Sequence, residues 1–133
     1  MRLEITRTAD LAVRALCQLR ESGRLKSSAL AEALGSTPAF MTQVMAPMVR
    51  RGWVTSDPGP TGGYELYVQL GELSILQLIE AIEGPTVTGK CVLRGEPCPS
   101  EDVCALHDAW LPARAALMER LAATPVSAAA VGT

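Results

Sequence analysis

The chain has 133 residues, 48% of them apolar and 20% charged, which suits one core-forming domain and excludes a disordered tail. Its net charge of −2 excludes coating nucleic acid by bulk charge, and 4% aromatics leave too few rings for a stacking platform on single strands. No run of about 18 uncharged apolar residues is present to span a membrane. Charges in the opening MRLEITRTAD stand where a secretion signal needs apolar residues, so a cytoplasmic location is expected.

Apolar residues at spacings of three and four predict a first helix over 8–21, capped by Thr8 and carrying Ala9, Ala12, Leu16 and Leu19 on one stripe. Gly23 ends it. Ser27 or Ser28 caps a short second helix containing Leu30, Ala31 and Leu34, with Gly35 at its C-terminal turn. Thr37 caps a third, with Pro38 in its first turn, where a missing N–H costs nothing. Met41, Val44 and Met48 face inward, and Pro47 predicts a kink near the end.

Trp53–Ser56 and Tyr64–Val68 read as two strands around a turn-rich loop, Asp57-Pro-Gly-Pro-Thr-Gly-Gly63, hence a β-hairpin. Ser74 and Gln77 have the spacing of a capping box for a fourth helix, whose apolar face is Ile75, Leu78, Ile79 and Ile82. Gly84-Pro85 stops it. Ser100 is placed to cap a last helix with Glu101 and Asp102 in its first turn. Val103, Leu106, Trp110, Ala113, Leu117 and Leu121 then run close to a heptad seam, with Pro112 predicting a bend. After Thr124 the Ala-, Ser- and Gly-rich end reads as a frayed tail.

Two short helices meeting at Gly35, followed by a hairpin, are the order of a winged helix-turn-helix, whose second helix enters the major groove. The outward face of the third helix carries Thr37, Ala39, Thr42, Gln43 and Ala46, small and polar enough to approach base edges. Gln43 suits adenine, and Thr42 suits a thymine methyl or a phosphate. Lys26, the amides at Ser27 and Ser28, and Arg50 and Arg51 are candidates for holding phosphates. Gly62 and Gly63, beside Tyr64, permit close backbone approach to a groove. Residues 1–70 carry eight basic and six acidic side chains, residues 71–133 four and eight, so the DNA-facing part is the more basic one.

Cys91, Cys98, Cys104 and His107 are separated by six, five and two residues. In a reducing compartment such a cluster points to a metal site or a redox switch. Thiolates are soft ligands for iron–sulfur clusters and zinc, and a neutral imidazole suits both. Zinc sites favour tighter Cys pairs than these, which favours a cluster and leaves zinc or a metal-free thiol switch as alternatives. Cys104 and His107, three apart near the expected helix start, would share one face.

These residues resemble the Rrf-two family of iron–sulfur winged-helix transcription regulators, which includes IscR- and NsrR-like proteins. The resemblance rests on Thr8-Ala-Asp-Leu-Ala-Val-Arg14, Gly59-Pro-Thr-Gly-Gly-Tyr64, Leu76-Gln-Leu-Ile-Glu-Ala-Ile-Glu-Gly-Pro85 and the cysteine loop ending Cys104-Ala-Leu-His-Asp-Ala-Trp110. It implies a homodimer paired through the last helix, and a 2Fe–2S or 4Fe–4S cluster on the three cysteines. It also implies a fourth ligand at His107 or, in some relatives, at Asp10 of the partner subunit. Asp10 also has the spacing to pair with Arg14 on its own helix. The sequence departs from many relatives in the wing, where Asp57-Pro58-Gly59 stands in place of an arginine.

The expectation is a mostly α fold with a small β-hairpin wing, a winged helix-turn-helix followed by a C-terminal dimerisation helix. Residues 1–70 form the DNA-binding region, 71–123 the cysteine loop and dimerisation helices, and 124–133 the tail. The expected function is a non-enzymatic repressor. Its affinity for a pseudo-palindromic duplex operator follows an iron–sulfur cluster responsive to nitric oxide, redox state or iron supply.

Overall fold

The computed structural model describes residues 1–129. Helix α1 (Arg7–Ser22) is central: Ala9, Leu11, Ala12, Val13, Ala15, Leu16 and Leu19 are all buried, more than one stripe, because α2, α3, α4 and the hairpin surround it. Its cap is Thr6, whose hydroxyl oxygen accepts the Ala9 N–H at 3.1 Å, rather than Thr8. Thr8 has a threonine two residues before it that can cap equally well, and the helix gains two residues by using that one.

Helix α2 (Ser27–Leu34) corrects a second expected cap. Lys26 is the boundary residue, no side chain caps it, and Ser27 is already helical. Gly35 adopts the left-handed conformation (φ 68°) that closes α2, and the Ser36 N–H reaches the Ala31 carbonyl at 2.9 Å. Helix α3 (Pro38–Arg50) follows at once, with the Thr37 hydroxyl accepting the Phe40 N–H at 3.2 Å. Met41, Val44, Met45 and Met48 are fully buried against α1 and α2. Pro47 withholds one N–H from the Gln43 carbonyl, and the helix runs on to Arg50.

Strands β1 (Val54–Asp57) and β2 (Gly63–Leu66) pair antiparallel, Val54 opposite Leu66 and Asp57 opposite Gly63, one to two residues from the expected spans. Trp53 lies outside the ladder because its carbonyl receives two N–H groups, from Tyr67 at 2.9 Å and Val68 at 3.2 Å, which turns the chain away. Helix α4 (Ile75–Glu83) begins with the expected capping box, Gln77 N–H to Ser74 Oγ at 3.0 Å and Ser74 N–H to Gln77 Oε1 at 2.9 Å.

Helix α5 (His107–Ala123) starts six residues later than the cap at Ser100 predicts. The Asp102 carbonyl, which a helix would give to the Leu106 N–H, accepts from Arg94 Nη1 at 2.8 Å. The stretch before His107 is thereby folded into turns that carry Cys104 inward. No residue of α5 is buried, and Leu117 is 53% exposed.

The expected frayed tail is also corrected over residues 124–129. Val126 is fully buried, its N–H donates to the Leu73 carbonyl at 2.7 Å, and Val126–Ala129 form a 3-10 turn against α1. One apolar anchor and a β-bridge between Ser74 and Pro125 hold down a segment whose composition alone reads as loose. The remainder of that tail, 130–133, lies outside the described residues. One apolar cluster joins Leu16, Leu30, Met41 and Val54 to Leu70, Leu73, Leu78 and Val126, so the core continues across position 70. Among the described residues, no helix is long and apolar enough to cross a membrane.

Candidate metal centre and nucleic-acid interface

The three clustered cysteines converge. Their sulfurs all lie within 4.8 Å of one another, and Cys91 Sγ and Cys104 Sγ are 3.3 Å apart. A tight turn makes this possible: the Gly95 N–H reaches the Cys91 carbonyl at 3.0 Å, and the Cys91 N–H reaches the Glu96 carbonyl at 2.8 Å. That turn points two backbone amides at the Cys91 sulfur, Leu93 N at 3.3 Å and Arg94 N at 3.4 Å. The Arg94 amide and then the Leu93 amide, with smaller help from the Cys104 and Cys98 thiols and against desolvation, lower the Cys91 thiol to about 7. Cys98 moves the other way. The Cys104 amide, its largest influence, pulls it down, but the Cys91 thiol, burial and Cys104 together push it above its ordinary value.

The trio opens into a cavity of about 230 Å³ lined also by Lys90, His107, Trp110 and Arg114. His107 is half-buried at the first position of α5, held by its N–H to the Cys104 carbonyl at 3.1 Å, and it is not part of the close sulfur set. Asp10 is engaged on its own helix, where Arg14 Nε donates to both carboxylate oxygens at 3.0 and 3.1 Å. Cys17, the fourth cysteine, packs against the core in α1, and burial, only partly offset by Arg20, raises its thiol.

The donor chemistry fits a thiophilic group: three convergent thiols, one of them eased toward the thiolate by backbone amides, with an imidazole on the same cavity wall. The spacing is compact. A tetrahedral ion bound at about 2.3 Å holds its sulfurs about 3.8 Å apart, so the trio as it stands matches one ion, and a cluster would require the loop to open.

In the helix-turn-helix, Thr37, Ala39, Thr42 and Gln43 are exposed along the outer face of α3, and Lys26, Ser28, Arg50 and Arg51 are exposed around it, with Ser27 partly covered. Thr42 donates its hydroxyl to the Pro38 carbonyl at 3.0 Å, so the hydroxyl is engaged on its own helix. Arg51 lies over the Trp53 ring, 5.8 Å from its centre, so its guanidinium is partly held by a cation–π contact. Gly62 and Gly63 have a structural duty. A Cβ on Gly62 would meet the Asp57 carbonyl at 2.0 Å, and one on Gly63, at φ 125°, would meet the Leu25 carbonyl at 2.8 Å. They let the wing close and dock, and Tyr64 completes that docking through its backbone, N–H to the Leu25 carbonyl at 2.7 Å.

Two arginines escaped the sequence reading. Arg24 pairs with Glu65, 41 positions away, and with Asp57. Arg94 bonds the Asp102 carbonyl and lies 3.6 Å from its carboxylate, closing the cysteine loop. No short-range spacing marks either residue, since their partners meet only in the folded chain.

A helix-turn-helix with a docked wing, joined through α4 to a helix that begins beside a thiol trio, defines a winged-helix transcription regulator rather than an enzyme. The profile of the Rrf2 family, described as "Iron-dependent Transcriptional regulator", matches residues 5–129. The chain belongs to that family. The Mycobacterium tuberculosis H37Rv protein Rv1287, whose name describes an HTH-type transcriptional regulator, is 30% identical over 98% of this chain and 83% of its own length. The regulator IscR of Cronobacter sakazakii is 27% identical over 82% of this chain and 64% of its own length. In fold, the chain is similar to CymR, the global cysteine regulator of B. subtilis, with a TM-score of 0.77 at 22% identity over 99% of each chain.

Proposed function

We propose that this chain is a homodimeric repressor whose affinity for a pseudo-palindromic DNA operator is set at Cys91, Cys98 and Cys104 by an iron–sulfur cluster responsive to nitric oxide, redox state or iron supply. The observation that carries this reading is the convergence of three sulfurs immediately before the helix that links the loop to the DNA-reading core. His107 is proposed as the fourth ligand, and Asp10 of the partner subunit as the alternative. When bound, such a group supplies an inorganic centre that reacts with oxidants and nitric oxide. The chain supplies the rest. Cys104 fixes the first turn of α5 through its carbonyl, α5 packs on α4, and α4 packs on α1, the helix that carries α2 and α3. A change in the spread of the sulfurs therefore has a continuous packed route to the recognition helices.

Thr37, Ala39, Thr42 and Gln43 are assigned to base edges. Lys26, Ser27, Ser28, Arg50 and Arg51 are assigned to phosphates, and Gly62, Gly63 and Tyr64 to the wing. The exposed seam of α5, with Leu117 outward, is assigned to the second copy, and two-fold symmetry then asks for half-sites one or two helical turns apart. Residues 1–70 serve as the DNA-reading region and 71–123 as the sensing and pairing region. The protein is placed in the cytoplasm with its DNA.

A second reading is favoured by the compactness of the trio: one zinc ion on the three thiolates, or a metal-free switch between Cys91 and Cys104 at 3.3 Å. Anaerobic purification separates them. A cluster gives absorbance near 400 nm with matching iron and sulfide, while zinc gives colourless protein with one metal per chain. Single Cys→Ala changes at positions 91, 98 and 104 each abolish metal retention in both cases. Loaded and chelator-stripped protein are expected to differ about 5–150-fold in affinity for one selected duplex, and equal affinity overturns the sensing function.

A further inference from the structure

The wing is joined to the rest of the DNA-reading region by one unusual device. In the α1–α2 connection, Leu25 forms an isolated antiparallel bridge to Tyr64 of β2: Leu25 N–H to the Tyr64 carbonyl at 3.0 Å, and Tyr64 N–H to the Leu25 carbonyl at 2.7 Å. Arg24 then reaches over the hairpin. Its Nε donates to Glu65 Oε2 at 3.2 Å, and Nη2 donates to the same oxygen. Its Nη1 lies 3.4 Å from Asp57 Oδ2 and 3.4 Å from the Thr61 carbonyl. One side chain thus touches β1, the loop and β2, and it is the charge partner of both wing carboxylates. The two carboxylates raise its own ionisation, Glu65 most.

Asp57 and Glu65 are the only acidic residues between Glu32 and Glu72. They sit on the part of the fold that a winged helix lays along the phosphate backbone, where two bare negative charges repel the ligand. We infer that Arg24 is a positioning residue for DNA binding: it clasps the wing to the α1–α2 connection and offsets one of the two negative charges of Asp57 and Glu65, so that a wing lacking a basic tip can still lie against phosphates. This rests on the DNA-reading function proposed above. It explains how Asp57 is tolerated in the wing, and it makes the clasp, rather than a wing side chain, the determinant of wing contact.

The test uses the full-length, cofactor-loaded protein and a duplex that the unmodified chain selects from a random-sequence pool. Failure of the unmodified chain to select any duplex refutes the DNA-reading function itself and is distinguishable from failure of the clasp. Arg24→Ala is expected to weaken binding about tenfold, within the range of coupled contacts, and to make log affinity fall less steeply with log salt. In an Asp57→Asn/Glu65→Ala background the same change is expected to cost less than about twofold, because its partners are already gone. Arg24→Lys is expected to recover part of the loss. An equal loss in both backgrounds shows instead that Arg24 touches DNA directly and overturns the clasp. So does binding that stays within twofold of the unmodified protein with an unchanged salt slope. Far-ultraviolet circular dichroism of each variant checks that the helices remain, and an Arg24→Ala variant that loses them leaves the Asp57→Asn/Glu65→Ala protein, compared with unmodified protein by salt slope, to decide. A steeper slope shows that the clasped carboxylates face phosphate and supports the clasp, and an unchanged or shallower one overturns it.

Discussion

The helices before position 70 and the long helix after it treat their apolar residues differently. In α1–α3, Leu11, Leu16, Leu30, Met41, Val44 and Met48 are at most 1% exposed, and they complete a core within a single chain. No residue of helix α5 is fully buried, and Leu111 and Leu117 stand 38% and 53% exposed on a helix of 17 residues. Helices α1–α3 belong to one core that Leu73, Leu78 and Val126 complete, whereas α5 packs on α4 and leaves Leu111 and Leu117 open. In the homodimer proposed above, the first is the folding unit and the second the assembly unit. The thiol trio lies at the start of that helix, where the buried Cys104 ties its spread to the packing of α5 on α4.

The largest expected effect lies in the closed part. Leu16→Ala removes a fully buried side chain from the centre of α1 and is expected to cost about 2–5 kcal/mol in a denaturant titration. Leu117→Ala is expected to stay within about 0.5 kcal/mol for the isolated chain, yet to raise the concentration at which copies associate in sedimentation equilibrium. If the two substitutions destabilise equally, the division into folding and assembly units fails. Thr37→Ala, at the hinge between α2 and α3, loses the cap to Phe40 and is expected to cost about 1 kcal/mol, with a drop in DNA binding as the recognition helix frays. Asp10→Ala breaks only a surface pair with Arg14 and is expected to cost about 0.2–0.5 kcal/mol. Its effect on the visible spectrum, set beside that of His107→Ala, decides the fourth ligand.

The smallest effect concerns the thiols themselves. In chelator-treated protein, Cys91 ionises near 7, below the usual 9.0, so its alkylation by iodoacetamide is expected to rise through about pH 7. Cys17, pushed above 9.0 by burial, is expected to be alkylated last at every pH. Peptide mass mapping across pH reads the order, and Cys17 reacting with Cys91 would show that α1 opens as readily as the loop.

Most of the architecture could be read without coordinates. The Gly35 turn, the Thr37 cap with Pro38, and the Ser74–Gln77 box all satisfy backbone groups with partners three to five residues away, so their signals lie within one window of sequence. The cysteine spacing likewise announced a common site, because few roles other than ligation or redox chemistry gather three thiols in fourteen residues. The misread boundaries share one cause. Ser100 is a sound helix cap in isolation, but Arg94, eight positions before Asp102, takes the Asp102 carbonyl that a helix starting at Ser100 would use. Thr8 lost to Thr6 because both are competent, and only the packing of α1 decides how far it extends.

What the amino-acid order determined alone was therefore the set of elements, their polarity and the identity of the sulfur donors, since these depend on short-range hydrogen bonds and on periodicity. Tertiary structure decided how closely those sulfurs approach, that Val126 returns to seal α1, and that Arg24 spans the wing to Glu65. Each of these joins groups far apart along the chain, and such contacts become favourable only after the core has met the entropy of closing the loops between them.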